Sequence, residues 1–363
     1  MGNTLAGIRT LQQESNSVLS EPGVLYIAQP SLDQAMTIAR LLRLAGRRPF
    51  PRALASRLDP TERVRWADFY DGAFYTDSYD LIPSGLQVVP TGAQSTRALL
   101  AKGEIVLGRI RMDPRVLQLY DKRWFVRFCQ QHGLSVPQTF STPGQIPRNA
   151  FPVFFKPAQE QGGGARGVAT SPAGLPHENV DRYIYQEFIP DPVTWGVSFL
   201  AIDGKPLVLH VHRELASYPK PGGSAVVIES VPHPDGRLWE LTERFLRAFR
   251  YSGWGLAEYK YDPARRDFVF MEVNAKFWAS CELAFVNEPR FLEYLFDVRL
   301  QLPGVPRMIF FERALARGPL FLFSLLPWLR GSKIIRYRPL TQLLPRACRA
   351  LGRRLWRSHS GSH

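Results

Sequence analysis

The sequence predicts an α/β protein of more than one domain, and three observations support this. Residues 23–28 (GVLYIA) predict a buried strand, and an amphipathic helix over 32–45 follows it, an opening typical of a parallel sheet. From residue 151 onward the pattern changes to short strands separated by Gly and Pro turns, which is typical of antiparallel sheet. A chain of 363 residues is also long for one domain.

Composition places the chain among folded proteins with anionic partners. With 45% hydrophobic and 21% charged residues it can bury a sizeable core. The net charge of +14 indicates nucleotide, phosphorylated substrate, membrane surface or nucleic acid without choosing among them. Cys129, Cys281 and Cys348 are too far apart for a disulfide framework or a metal motif. No secretory signal or membrane-spanning run is visible, so we expect a soluble, cytoplasmic protein.

The individual elements follow from local signals. A helix is expected over 122–132, ended by Gly133, and a second one over 236–251. The strands are expected at 152–156, 167–170, 183–188, 196–202, 206–211, 225–231, 255–261 and 267–273.

A glycine-rich loop follows Lys156 in the stretch FFKPAQEQGGGARGV. A strand, not a helix, follows the glycines, which excludes a dinucleotide-binding loop, and the Lys-Ser/Thr end of a Walker A loop is absent. No kinase motif accompanies it either. Such a hairpin can fold over a triphosphate, with backbone N–H donors and the Lys156 ammonium. The alternative is a surface hairpin with an exposed lysine.

Two glutamates lie in consecutive predicted strands. Glu258 and Glu272 share one face if these strands form an antiparallel hairpin, and Asn274 shares a face with Glu272 in any case. Two carboxylates and an amide oxygen are ligands that Mg²⁺ accepts beside phosphate oxygens. The alternatives are exposed glutamates paired with Lys260 or Lys276, or a glycosidase pair, which leaves Lys156 and its loop unexplained.

Taken together, these residues resemble the ATP-grasp superfamily, in particular its carboxylate–amine ligases, over roughly residues 23–300. The matching pieces, in the order of that family, are DK (121–122), GLSVP (133–137), FPVFFKP (151–157) with the glycine loop, QEFIP (186–190), HR (212–213), YPKPGG (218–223), YSGWGLAEYK (251–260) and EVNAKFWAS (272–280).

The resemblance implies a domain order. A polar tail (1–22) precedes an N-terminal parallel-sheet domain (23–120). A small lid subdomain (121–190) and an antiparallel-sheet core with the metal site (191–302) follow. The last part (303–363) is an apolar and then basic helical segment.

The resemblance also implies residue roles. Lys122 and Lys156 contact the phosphates of ATP. Arg213 stabilises charge on the transferring group, with a surface ion pair to Glu214 or another acid as the alternative, and Lys276 stands where the family usually has arginine. The adenine is received by Gln186 and Glu187 with Phe188 and Ile189. The loop closes through Gly162, Gly163 and Gly164. One or two Mg²⁺ ions, with Mn²⁺ as an alternative, are held by Glu258, Glu272 and Asn274.

The activity implied is an ATP-dependent ligation of a small-molecule carboxylate and an amine through an acylphosphate, with ADP and phosphate released. A phosphotransferase or carboxylase-like enzyme and a catalytically silent nucleotide-binding scaffold at a membrane are the alternatives. A homodimer is common in this superfamily, and no specific nucleic-acid partner is expected.

The C-terminal segment is strongly basic. From Arg330 to the end there are nine Lys and Arg and no acid. Residues 346–357 interleave charge with Leu and Trp, which predicts an interfacial helix in peripheral contact with a membrane. The alternative is a helix that packs its apolar stripe on the protein body.

Overall fold

The computed structural model describes residues 23–46, 49–56, 66–83, 85–160, 164–218, 223–232 and 236–337. The chain begins with a four-stranded parallel sheet of β1 (Val24–Ala28), β2 (Phe50–Ser56), β3 (Ala73–Thr76) and β4 (Val88–Val89), in the order β3-β2-β1-β4. The helices α1 (Asp33–Leu44) and α2 (Ala93–Leu100) follow β1 and β4. The predicted strand–helix opening is confirmed.

A short connector links this domain to the next. It contains a hairpin of β5 (Ile105–Leu107) and β6 (Ile110–Met112), a 3-10 turn, and helix α3 (Lys122–Gln131). Asp121 caps α3, because its carboxylate accepts hydrogen bonds from the backbone N–H groups of Arg123 (2.8 Å) and Trp124 (3.3 Å). The cap fixes Lys122 at the first position of the helix.

The second sheet is small and antiparallel. It contains β7 (Thr139–Phe140), β8 (Val153–Pro157), β9 (Gly167–Ala169) and β10 (Tyr183–Glu187) in the order β7-β10-β8-β9. Val153 and Tyr185 belong to an apolar cluster on one face. Because side chains alternate along a strand, Lys156 and Gln186 lie together on the other face.

The third sheet has seven strands. They are β11 (Thr194–Ile202), β12 (Lys205–Tyr218), β13 (Ser224–Ser230), β14 (Gly253–Asp262), β15 (Asp267–Asn274), β16 (Arg307–Phe310) and β17 (Ser332–Ile335), in the order β15-β14-β11-β12-β13-β16-β17. Every neighbouring pair is antiparallel except β16 and β17. Helix α4 (Gly236–Phe249) buries its apolar side against this sheet through Leu238, Phe245 and Leu246.

The remaining helices are α5 (Cys281–Asn287), α6 (Arg290–Phe296), α7 (Phe311–Arg317), α8 (Pro319–Ser324) and α9 (Leu326–Leu329). After residue 302 the described part contains strands as well as helices, because β16 and β17 extend the large sheet. The predicted tail (1–22) and interfacial helix (346–357) lie outside the described residues. Within the part that the structure describes, no helix is long and apolar enough to cross a membrane.

A buried ion cluster joins the C-terminal strand to the first domain. Glu282 on α5 is 1% exposed, and its Oε1 lies 2.8 Å from Nζ of Lys333 on β17. It also pairs with Arg40 of α1 and accepts a hydrogen bond from Thr37 at 3.3 Å. One carboxylate therefore contacts residues of both the first domain and the C-terminal strand.

Candidate active site

The site lies where the small sheet meets the large one. Lys156 of β8 is 8% exposed, and its Nζ lies 2.8 Å from Oε2 of Glu272 on β15. Its Nζ also lies 3.5 Å from the carbonyl oxygen of Met271. The glycine-loop strand and the carboxylate strand, identified separately in the sequence, are thus joined by a direct ion pair.

The two glutamates lie directly opposite each other on the predicted antiparallel hairpin of β14 and β15. Glu258 pairs with Glu272 in the register, and Asn274 lies opposite Leu256, two positions along the same face. Directly opposite side chains have Cβ atoms about 5 Å apart. Both carboxylates and the amide oxygen therefore face the cleft.

The two carboxyl groups differ in protonation. Burial, followed by repulsion from Glu272, raises the pKa of Glu258 well above its ordinary value. Burial also acts to raise the pKa of Glu272, but attraction to Lys156 and Lys122 outweighs it, so this pKa lies well below its ordinary value. The protonated form is therefore favoured more at Glu258 than at Glu272, and a divalent cation bound between them would favour the ionised form of both.

The protein side chains supply only part of a metal coordination shell. Among the described residues no group of three or more His, Cys, Asp and Glu is arranged to hold a metal ion. Two carboxylates and the Asn274 amide oxygen fit Mg²⁺ that takes its remaining ligands from phosphate and water, as Mg²⁺ commonly does. The donor set therefore fits a metal that arrives together with a nucleotide.

A carboxylate that we did not identify from the sequence joins two further lysines. Glu160 lies 3.0 Å from Nζ of Lys122 and 3.2 Å from Nζ of Lys276. Nζ of Lys276 also donates to Oδ1 of Asn274 at 2.8 Å. The signal was present, since Glu160 is the acid between Lys156 and the glycines.

The described part of the glycine loop is tightly constrained. Gly164 has a φ of +108°, and a Cβ there would lie 2.6 Å from Cγ of Pro157. Only glycine fits this backbone conformation and this contact. Gly162 and Gly163 lie outside the described residues, so their predicted role stays a prediction.

The predicted adenine segment lies beside Lys156. Gln186 is 1% exposed, its Nε2 donates to Oγ1 of Thr139 at 3.0 Å, and its Oε1 is buried with no hydrogen bond from any described residue. Glu187 forms an ion pair with Arg265. Ile189 is buried, and Phe188, which precedes it, is half-buried. Gln186 therefore offers one unsatisfied acceptor next to the lysine cluster.

Comparison with solved structures identifies the fold. A biotin carboxylase from Campylobacter jejuni, solved as a β-γ-ATP complex, matches with a TM-score of 0.57 and 16% identity over 80% of this chain and 73% of its own. A phosphoribosylamine–glycine ligase from Thermotoga maritima matches with a TM-score of 0.56 and 14% identity over 78% of both chains. An L-amino acid ligase from Bacillus licheniformis matches with a TM-score of 0.52 and 15% identity over 73% of this chain and 70% of its own. The chain has the ATP-grasp fold.

The remaining comparisons concern a longer protein and the sequence alone. The chain spans 28% of a longer solved pyruvate carboxylase from Rhizobium etli, at 16% identity and a TM-score of 0.54. No protein-family model matches the chain, and no curated protein sequence matches it. At these identities the likeness establishes the ATP-grasp fold, and the chemistry has to be argued from the site itself.

Arg213 does not join this ATP-grasp site. It lies opposite Trp195 and Glu229, and its Nε donates to Oε2 of Glu229 at 2.7 Å. The neighbouring His212 faces the carboxylate side instead, because consecutive side chains alternate between the two faces of a strand. The row across the sheet on that side is Glu272, Glu258, Gly196, His212 and Ser230. Arg213 therefore forms an ion pair with an acid, which was the alternative expected for it, on the face away from the carboxylate row.

Two buried histidines extend the carboxylate face. Nε2 of His210 lies 3.0 Å from Oγ of Ser230, and Nε2 of His212 lies 3.4 Å from Oγ of Ser280. Burial lowers the pKa of His210 to about 4 and that of His212 to about 3, so both rings are neutral at pH 7. Next to them, burial raises the pKa of Glu214 to about 7 against the attraction of positive neighbours.

Proposed function

We propose that this protein is an ATP-dependent carboxylate–amine ligase that forms an amide or peptide-like bond and releases ADP and phosphate. One observation carries the proposal. Three lysines from three separate parts of the chain, Lys122, Lys156 and Lys276, converge on the Glu258–Glu272–Asn274 face. The lysines suit the negative phosphates of a triphosphate, and the carboxylate pair suits the metal that accompanies it. A dinucleotide or a glycoside would use only part of this set.

The nucleotide would bind across the cleft between the two sheets. Lys122 and Lys156 would contact its phosphates, and the buried Oε1 of Gln186 would accept a hydrogen bond from the adenine amino group. Glu258, Glu272 and Asn274 would hold Mg²⁺. When bound, Mg²⁺ neutralises charge on the phosphates and orients the terminal one.

The reaction proposed has two steps. A carboxylate oxygen of the first substrate attacks the γ-phosphorus, the bond to the leaving ADP oxygen breaks, and an acylphosphate forms. The amine nitrogen of the second substrate then attacks the carbonyl carbon and loses a proton, and inorganic phosphate leaves. Lys276, 13% exposed beside Asn274, is placed to stabilise negative charge in both steps.

Arg213 is assigned a different role. Its pair with Glu229, which also binds Arg307, connects β12, β13 and β16. It is therefore a positioning residue for the strand that carries His212.

The test is calorimetric binding of a non-hydrolysable ATP analogue with and without Mg²⁺, with NADH as a second ligand. Lys156→Ala and Glu272→Gln are compared with Lys205→Ala, a change of an exposed lysine on β12 that lies outside the cluster. We expect micromolar binding that requires Mg²⁺ and weakens by about 100-fold in the first two variants only. A screen of amino acids and other carboxylates for ADP release then finds the substrates, and the mass of the second product separates ligation from phosphotransfer or carboxylation. A folded wild type that binds no nucleotide overturns the proposal, whereas nucleotide binding without ADP release with any substrate favours the catalytically silent nucleotide-binding scaffold.

A membrane surface with anionic headgroups is the second partner proposed. Phe323, Leu326, Leu329 and Ile334 are between 40% and 68% exposed, within twelve residues of the chain. No acidic residue follows Glu312 in the sequence. Exposed apolar side chains in a stretch of sequence whose charged residues are all basic suit an anionic lipid surface. The homodimer stays a prediction.

A further inference from the structure

Glu160 lies where the proposed function puts a phosphate. Its two carboxylate oxygens are divided between Lys122 (3.0 Å) and Lys276 (3.2 Å), and its side chain is only 16% exposed. Lys156, the third lysine, is paired with Glu272. Each ammonium group of the cluster therefore already contacts a carboxylate of the protein itself.

The main chain holds Glu160 in this place. Its backbone N–H donates to the carbonyl of Tyr120 at 2.7 Å, and its carbonyl accepts from Nη2 of Arg97 at 3.0 Å. The residue before it, Gln159, forms an isolated β-bridge with Asp121. The loop that carries Glu160 is thus fastened beside the start of α3, with the carboxylate directed at the lysines.

The Glu160 carboxylate is ionised throughout the neutral range. Burial acts to raise its pKa, but the attraction of Lys276 and Lys122 outweighs burial and lowers the pKa to about 2. A full negative charge consequently lies between two ammonium groups. A phosphate oxygen that approached the same ammonium groups would be repelled by it at short range.

We propose that Glu160 is an internal competitor for the phosphate-binding lysines and thereby sets the nucleotide affinity of the site. In the nucleotide-free protein it neutralises Lys122 and Lys276, and the phosphates displace it when nucleotide binds. Its return assists the departure of ADP, because it restores an anion to both lysines. The inference rests on the proposed function, since it assumes that the ligand of the lysines is a nucleotide.

Two other interpretations of Glu160 make different predictions. If Glu160 is a metal ligand, its removal weakens Mg²⁺-dependent binding. If it only stabilises the fold, its removal lowers the melting temperature of the free and the bound protein equally. Competition predicts tighter binding together with a lower melting temperature of the free protein, whose lysines have lost their anion.

The experiment measures binding of the non-hydrolysable ATP analogue with Mg²⁺ to the wild type and to Glu160→Gln. Glu178→Gln is the matched control, because Glu178 is an exposed glutamate of the same small subdomain. We expect the Glu160→Gln variant to bind about tenfold more tightly, while the control variant binds as the wild type does. ADP with Mg²⁺ is expected to dissociate more slowly from it, by a similar factor, in stopped-flow displacement.

The melting temperature of each protein, with and without the analogue, completes the test. Equal or weaker binding by a folded Glu160→Gln variant overturns the inference and leaves the proposed function standing. Absence of binding by the wild type and by both variants overturns the proposed function, and the inference with it.

Discussion

Gly196 is the position where one added methyl group tests the geometry of the whole carboxylate row. It lies on β11 between Glu258 and His212 and has no side chain to separate them. A Cβ there would lie 2.4 Å from Cε1 of His212 and 3.0 Å from Cδ1 of Leu256. Contacts under 3 Å require the neighbours to move, and His212 is buried and packed on the ring of His210.

The expected cost of Gly196→Ala is that of an overpacked core. Such insertions cost about 1–3 kcal/mol. For a chain of this size, that corresponds to a fall in melting temperature of roughly 1–4 °C. Movement of Leu256, which lies opposite Asn274, also disturbs the proposed metal ligands. We therefore expect weaker Mg²⁺-dependent nucleotide binding as well, measured by calorimetry.

Two controls make this prediction decisive. Gly144→Ala adds a methyl group at an exposed glycine with no atom near the added carbon, and it should change neither quantity. In a His212→Ala background the added methyl group has room, so the cost of Gly196→Ala should shrink there. An unchanged melting temperature and affinity in the single variant would refute the placement of His212 over Gly196.

Three further predictions follow from the cleft and the surface. Gln186→Leu removes the buried acceptor and should weaken binding of the ATP analogue by about tenfold. Competition calorimetry should show a smaller loss of affinity for GTP. Equal losses for the two nucleotides would contradict the adenine contact. Folding raises the pKa of Glu214 from 4.5 to about 7, so the contribution of this carboxyl group to stability should fall as pH rises across that interval. Glu214→Gln should lose about 3 kcal/mol less than the wild type between pH 4 and pH 8 in urea unfolding, and a difference that does not change with pH would refute this. The double change Phe323→Ser and Leu326→Ser should reduce co-sedimentation with phosphatidylserine vesicles. Leu81→Ser, at an equally exposed leucine, should not reduce it. Unchanged vesicle binding by the double variant would refute the proposed lipid-binding surface.

The sequence was sufficient for the features that depend on local patterns. Strand and helix positions follow from hydrophobic period and Gly/Pro turns, and the facing of Glu258 and Glu272 follows from one short hairpin. Arg213 shows the limit. Its side of the sheet depends on the register of β11 against β12 and β14, which no local pattern contains. The charge of Arg213 and its position in a motif favoured it as a site residue. The register of the strands instead places His212 in the row with Gly196 and Glu258.

Contacts between distant segments were the other features that could not be predicted. Glu160 contacts Lys276 only because Gln159 pairs with Asp121 at the start of α3 and the end of β15 lies at the same place. The pairing of β17 with β16 likewise depends on long-range contacts, including the one from Lys333 to Glu282. For Glu160 and for β17, the sequence shows the residues themselves. It does not show their partners, which lie more than 20 residues away in the chain.

The net charge of the chain has a simple distribution that bears on function. Eleven of the 46 Lys and Arg lie after Glu312 and none of the 32 acidic residues does, so residues 1–312 carry 35 basic against 32 acidic residues, a net charge of +3. In the cleft the three lysines lie beside Glu160 and Glu272, whose pKa values are lowered, and beside Glu258, whose pKa is raised. The overall charge of +14 is therefore no argument for nucleotide binding. Nucleotide affinity has to come from the lysines of the cleft, for which Glu160 competes with phosphate, whereas the basic excess after Glu312 acts on the surface that the C-terminal segment contacts. Vesicle binding and nucleotide binding should accordingly respond to separate sets of substitutions: Phe323→Ser with Leu326→Ser should leave nucleotide affinity unchanged, and Glu160→Gln should leave vesicle binding unchanged.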